Sequence, residues 1–127
     1  MNLFIIDKNK EDREKISDVL SRIYGALEYK EFDTPIVFYD YIRNNNERNL
    51  DIIITDLALQ EPFDGMDLYF RLKTLNRSFR FILTYFNSKL LEERAQNLGT
   101  DGCFIDKGSL FCGDIDMIRN NLIPAGS

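Results

Sequence analysis

Four short apolar runs stand out along the chain, and each of them is followed by a polar side chain. Runs of this length are typical of strands that are buried on both faces, as in a parallel sheet. The runs and the polar residues that follow them are 3–6 with Asp7, 51–55 with Asp56, 81–83 with Thr84, and 103–105 with Asp106 and Lys107.

Between these runs the apolar residues recur at helical spacing. A helix is predicted after Asn9, which can cap it, because the apolar residues at 16, 19, 20 and 23 form one stripe. Segment 27–32 alternates weakly and predicts a short edge strand. Further helices are predicted from Thr34-Pro35 to 44–46, from Gly65 to 75, from 87 or 88 to 98, and from about 110 to 122.

The resulting order is a strand and a helix repeated five times. It predicts one α/β domain over residues 1–124, with a five-stranded parallel sheet covered by helices on both faces, and a short tail at 125–127. Ligands of such sheets bind at the carboxyl ends of the strands. Asp7, Asp56, Thr84 and Lys107 are therefore expected to converge in one crevice.

Net charge, the absence of histidine and the lengths of the apolar runs exclude several classes of function and location. The 127 residues carry a net charge of −5 and contain no histidine, which argues against nucleic-acid binding and excludes histidine-based catalysis. No apolar run approaches the ~18 residues of a membrane span. No basic segment precedes the first apolar run, so a signal peptide is not expected and the cytoplasm is the predicted location. Two cysteines do not make a disulfide framework, and both are interpreted as small buried side chains.

The polar positions together resemble those of the receiver domains of two-component response regulators, over nearly all of the chain. The segments that carry the resemblance are Ile5-Ile6-Asp7, Asp56-Leu57-Ala58-Leu59, Asp64-Gly65, Thr84 and Lys107. The resemblance implies a flavodoxin-like (βα)5 fold, doubly wound around a five-stranded parallel sheet. It also implies a function in signalling, in which a histidine kinase or a phosphotransfer protein gives a phosphoryl group to an aspartate.

The resemblance assigns roles to individual residues. Asp56 is the implied phosphoryl acceptor, and Lys107 and Thr84 are implied to stabilise the transferred group. Asp7, Asp56 and the carbonyl of Ala58 are the implied ligands of a Mg²⁺ ion. No conventional enzyme is expected, only self-phosphorylation from a phosphodonor and autodephosphorylation.

The sequence departs from the family pattern beside the proposed site. Lys8 stands where the family has a second acid, so Mg²⁺ binding is expected to be weak. Lys8 either enters the site as a cation paired with Asp56 or Asp7, or points into solvent. Glu11 and Asp12 follow closely, but helix geometry does not guarantee that either replaces the missing ligand. Tyr85 follows Thr84 where a small residue is usual, and can screen the acceptor or swing aside.

Phe104 matches the aromatic position that the family couples to phosphorylation, so it is the predicted switch residue. The face around Leu90, Leu91, Phe104 and Phe111 is the predicted output surface, for another protein or a second copy of the chain. Two functions are open at this point. The first is a phosphorylatable switch, and the second is a pseudo-receiver that binds partners without phosphorylation, which Lys8 and Tyr85 favour.

Overall fold

The chain alternates strands with helices. The structure, a computed structural model, describes residues 2–25, 28–45, 50–58, 60–75, 79–86, 93 and 103–112. Its elements are β1 (Asn2–Ile6), α1 (Lys10–Tyr24), β2 (Glu28–Phe32), α2 (Pro35–Asn45), β3 (Ile52–Asp56), α3 (Gly65–Lys73), β4 (Arg80–Tyr85), β5 (Cys103–Asp106) and α4 (Lys107–Phe111).

The five strands form a single sheet in the order β2-β1-β3-β4-β5, and every neighbouring pair is parallel. The strand order reverses beside β1, because β2 lies on one side of it and β3 on the other. A reversal of this kind opens a crevice at the carboxyl ends of the strands. The predicted α/β class with a five-stranded parallel sheet is confirmed.

Each face of the sheet carries its own hydrophobic core, because successive strand residues point to opposite faces. The α2/α3 core includes Phe4, Phe38, Ile53, Leu68 and Phe81. The α1/α4 core includes Ile5, Ile16, Leu20, Ile54 and Leu110. Helices therefore cover both faces, as predicted.

Helix α1 begins where the sequence indicated. The side chain of Asn9 accepts a hydrogen bond from the backbone N–H of Asp12 at 3.2 Å, which fixes the first turn. The helix ends at Gly25, whose φ of 81° suits a residue without a Cβ atom.

Helix α4 begins at Lys107, three residues earlier than predicted. The carboxylate of Asp106 accepts a hydrogen bond from the N–H of Ser109 at 3.2 Å, so Asp106 caps the helix directly at the end of β5. The carbonyl of Gly108 accepts a helical hydrogen bond from the N–H of Cys112 at 3.0 Å. The prediction that Cys112 is buried is wrong, since its side chain is exposed just past the helix.

Some predictions concern residues outside the described ranges. They include the helix over 87–98, the helix beyond residue 112, and the tail at 125–127. Within the described part of the chain, no helix has the length and hydrophobicity needed to cross a bilayer.

Candidate functional site

The carboxyl ends of β1 and β3 place two carboxylates together. Ile6 pairs with Thr55 across these parallel strands, and the next residues are Asp7 and Asp56. Asp7 is held firmly at this point. Its backbone N–H donates to the carbonyl of Phe32 at 3.0 Å, and its carboxylate Oδ1 accepts from the N–H of Asn9 at 2.9 Å.

The ammonium of Lys107 lies between these carboxylates. Its Nζ is 2.6 Å from Oδ2 of Asp7 and 3.1 Å from Oδ1 of Asp56. It also donates a hydrogen bond to Oδ2 of Asp12 at 3.1 Å. The Lys107 side chain is only 4% exposed. One buried cation is therefore shared by three carboxylates, which is the arrangement that allows it to be buried.

The three carboxylates differ in depth. The side chain of Asp56 is 22% exposed, against 3% for Asp7 and 10% for Asp12. The second oxygen of Asp56, Oδ2, accepts a hydrogen bond from the backbone N–H of Ala58 at 3.1 Å. Asp56 is thus the carboxylate of this group that a reagent in solvent reaches most easily.

Thr84 lies beside Asp56 in the sheet. It is in register with Asp56 across β3 and β4, and it is fully buried. Its hydroxyl donates to the carbonyl of Thr55 at 3.4 Å, a long hydrogen bond. The sequence therefore correctly anticipated that Asp7, Asp56, Thr84 and Lys107 meet at one end of the sheet.

Burial and charge act against each other on Lys107. Burial disfavours the ammonium, but the hydrogen bond to Asp7 and the negative charges of Asp56 and Asp7 outweigh it and raise the pKa of Lys107. Burial raises the pKa of the Asp7 carboxyl, although the hydrogen bonds from Lys107 and Asn9 oppose this. The crevice therefore keeps its cation charged and makes its deepest acid easier to protonate.

The fold is shared with known proteins. The receiver domain of a response regulator from Clostridium thermocellum is 19% identical over 95% of this chain and 93% of its own, with a TM-score of 0.69. The signal receiver domain of NarL from Mycobacterium tuberculosis is 16% identical over 94% of this chain and 96% of its own, with a TM-score of 0.64.

The manganese-bound form of the response regulator Rcp1 is 16% identical and has a TM-score of 0.68, with 98% of this chain and 99% of Rcp1 covered. No family model and no curated protein sequence matches the chain. The chain has the receiver-domain fold.

In this receiver fold, Lys8 lies outside the crevice. Its side chain is 68% exposed, and its Nζ lies 3.6 Å from Oε1 of Glu61, in the loop between β3 and α3. The interpretation that Lys8 pairs with Asp56 or Asp7 is wrong for this structure, because Lys107 holds both carboxylates. The other alternative, in which Lys8 points into solvent, agrees with the structure.

Asp12 reaches the crevice instead, which the sequence left undecided. The hydrogen bond from its N–H to Asn9 places it in the first turn of α1, where its carboxylate meets Lys107. In the sequence, Asp12 stands three residues after Asn9, a strong N-cap residue, and this spacing places it in the first turn of a helix. The spacing does not tell whether the Asp12 side chain points towards the crevice, because that depends on the rotation of the helix about its axis.

Tyr85 does not screen the acceptor. It is the last residue of β4, it is 8% exposed, and it packs in the α2/α3 core with Leu83. The next residue, Phe86, takes the position beside the crevice, with Nζ of Lys107 5.0 Å from its ring centroid. The sequence prediction did not include Phe86, although the alternation of side chains along β4 places Phe86 on the same side of the strand as Thr84.

The predicted output surface does not form one face. Phe104 packs against the α2/α3 core, whereas Phe111 packs against the α1/α4 core and has Nζ of Lys15 5.0 Å from its ring centroid. The two rings therefore lie against opposite faces of the sheet. Leu90 and Leu91 lie outside the described residues.

The oxygen atoms of the crevice are of the type that Mg²⁺ prefers, but few of them are available as ligands. Asp7, Asp56 and the carbonyl of Ala58 are hard oxygen donors, as this ion requires. Lys107 already contacts both carboxylates, and the Ala58 carbonyl accepts a hydrogen bond from the N–H of Glu61 at 3.0 Å. Over the residues that the structure describes, no three acidic, histidine or cysteine side chains are grouped to hold a metal ion.

Proposed function

We propose that the chain is a signalling receiver that accepts one phosphoryl group on Asp56. The observation that carries the proposal is the position of Asp56, the most accessible of three carboxylates around a buried ammonium at 3.1 Å. A carboxylate is a competent nucleophile towards phosphorus, and the transferred group needs a cation at its oxygens. Asp56 and Lys107 supply these two requirements side by side.

The transfer itself is a simple exchange of bonds. An oxygen of Asp56 forms a bond to phosphorus, while the bond from phosphorus to the donor breaks and its electron pair leaves with the donor. The product is an acyl phosphate on Asp56. Lys107 would neutralise one oxygen of the new group, and the hydroxyl of Thr84 would donate a hydrogen bond to another after leaving the carbonyl of Thr55.

The donor in this proposal is a histidine kinase or a phosphotransfer protein in the cytoplasm. Phe104, half-buried beside the α2/α3 core, would report the change to an output protein or a second copy of the chain. Phe104 and Phe111 face opposite cores, so one flat partner surface would not contact both rings.

The proposal includes a Mg²⁺ ion that binds weakly. Asp7, Asp56 and the carbonyl of Ala58 would hold the ion, which would supply positive charge beside the phosphoryl oxygens. Weak binding is expected because Lys8 takes the place of an acid and because Lys107 competes for two of the ligands.

Incubation with acetyl phosphate and Mg²⁺, followed by intact-mass measurement, tests the function. The parent should gain one phosphate, and Asp56→Asn should gain none, since an amide cannot form the acyl phosphate. Asp40→Asn is the matched control, because Asp40 is an exposed acid on α2, and it should label like the parent. Equal labelling of parent and Asp56→Asn would move the acceptor to another residue.

The rival function is a pseudo-receiver that works without phosphorylation. It is favoured by the saturation of Lys107 with three carboxylates and by the shortage of metal ligands among the described residues. Tyr85 no longer favours it, because its side chain is in the core. A parent that takes up no phosphate at any Mg²⁺ concentration would make this rival the leading interpretation.

A further inference from the structure

The first turn of α1 adds a charge to the crevice that the family pattern does not include. Asp12 is the third residue of α1, its side chain is 10% exposed, and its Oδ2 accepts a hydrogen bond from Lys107 at 3.1 Å. Glu11, its neighbour on the same turn, is exposed. The helix start therefore separates these two acids, and only Asp12 reaches the buried cation.

An ammonium has three protons to donate. In the resting crevice they face three carboxylates, at 2.6 Å, 3.1 Å and 3.1 Å from Nζ. The ring of Phe86 lies beside the same ammonium. Three carboxylates thus crowd the ammonium, and the contact with Asp12 is a hydrogen bond. A phosphoryl oxygen that binds Nζ has to compete with these carboxylates for it.

We propose that Asp12 is a positioning residue that holds Lys107 in the resting crevice and competes with the phosphoryl group for it. This inference rests on the proposed phosphorylation of Asp56. Asp7 is the deepest acid and the one in closest contact with Lys107, and Asp56 carries the new group, so Asp12 is the partner that Lys107 gives up. Asp12 also adds a negative charge that opposes the approach of an anionic phosphodonor.

The reaction rate gives the first test. Asp12→Asn removes the competitor and one negative charge while keeping the size of the side chain. We expect acetyl phosphate to label this variant about three- to tenfold faster than the parent, and the ratio to shrink at high salt. Glu11→Gln removes the same charge from the same turn without touching Lys107, so its rate should match that of the parent. Asp12→Glu should return the rate towards that of the parent.

Two rate outcomes would overturn the proposal. Slower labelling of Asp12→Asn would mean that Asp12 assists the reaction, for example as a metal ligand. Equal acceleration by Asp12→Asn and Glu11→Gln would mean that net charge acts without any role for the contact with Lys107.

A double-mutant cycle tests the contact without any phosphorylation. Urea midpoints are measured for the parent, Asp12→Asn, Lys107→Met and the double variant. Asp12→Asn should lower the midpoint of the parent, because it breaks the hydrogen bond to Lys107. It should raise the midpoint in the Lys107→Met background, where Asp12 is a buried carboxylate without its cation. The same change in both backgrounds would show that Asp12 does not act through Lys107.

The two tests separate this inference from the function on which it rests. A parent that takes up no phosphate would contradict the proposed function, and the cycle would still decide whether Asp12 holds Lys107. If Lys107→Met does not fold, the comparison of Asp12→Asn with Glu11→Gln decides the inference by itself.

Discussion

At the scale of single residues, Lys8 follows Asp7 in the chain but lies outside the crevice. Lys8 is 68% exposed and pairs with Glu61, so its ammonium does not replace a metal at Asp56. The crevice has no second acid directly after Asp7, because residue 8 is a lysine. Mg²⁺ tolerates incomplete coordination poorly, and its affinity depends on the number of charged ligands.

Lys8→Asp should therefore tighten Mg²⁺ binding by about tenfold or more, because it adds a carboxylate and removes a cation near the other acids. Isothermal titration with Mg²⁺ measures the affinity directly. Labelling by acetyl phosphate at low Mg²⁺ should rise in parallel.

Lys10→Asp is the control for this charge reversal, since Lys10 is exposed in the first turn of α1. It should change Mg²⁺ binding much less than Lys8→Asp does. If Lys8→Asp and the parent bind Mg²⁺ equally, the identity of residue 8 has no bearing on the ion.

At the scale of elements, the start of α3 decides how β3 presents Asp56. Asp64 and Asp67 form a capping box, in which each side chain accepts a hydrogen bond from the backbone of the other. Gly65 follows directly and packs against the end of β3. A Cβ atom at Gly65 would lie 2.7 Å from the carbonyl oxygen of Asp56 and 3.2 Å from Cα of Leu57.

Gly65→Ala should lower the free energy of unfolding by about 2 kcal/mol, because the added Cβ would meet the backbone carbonyl of Asp56 at 2.7 Å and the buried side chain of Leu83 at 2.8 Å. Urea denaturation measures the loss. Gly108→Ala is the comparison and should cost less, since its Cβ would meet only the carboxylate of Asp106 at 3.0 Å, and moving that side chain weakens at most the cap of α4. A Gly65→Ala variant as stable as the parent would show that α3 can shift away from the end of β3 without any loss of free energy of unfolding.

At the scale of the whole molecule, the acids of the crevice contribute to how stability changes with pH. Burial raises the pKa of Asp7 above the ordinary value of an aspartate, 3.8. Between that value and the raised pKa, the native state holds a proton that the unfolded chain has released. The contribution of Asp7 to the free energy of unfolding is therefore greatest below about pH 4. It is lost as the pH rises through the pKa that Asp7 has in the native state.

Asp7→Asn removes this dependence, so the variant should gain stability relative to the parent between pH 4 and pH 7. Each unit by which the pKa is raised corresponds to about 1.4 kcal/mol. Urea denaturation in metal-free buffer at several pH values measures the difference. Asp40→Asn should show no such trend, and a parallel trend in both variants would assign the effect to net charge.

The sequence predicts the sheet and four of the crevice residues well, because strand ends are marked by a change from apolar to polar residues. Asp7, Asp56, Thr84 and Lys107 each follow or close such a run. Asp12 and Phe86 depend on the direction in which a side chain leaves its element. That direction follows from the exact start of α1 and the end of β4, which vary by a residue or two in any prediction from pattern.

One hydrogen bond at the base of the loop between β3 and α3 affects how the protein tolerates insertions there. The N–H of Gly65 donates to the carbonyl of Leu57 at 2.8 Å, so the segment that follows Asp56 is closed at its base. Lengthening a loop that is already closed costs little, since the entropy of closure grows only slowly with length. Residues can therefore be added to or removed from the middle of this segment during evolution while Asp56 and the start of α3 keep their places.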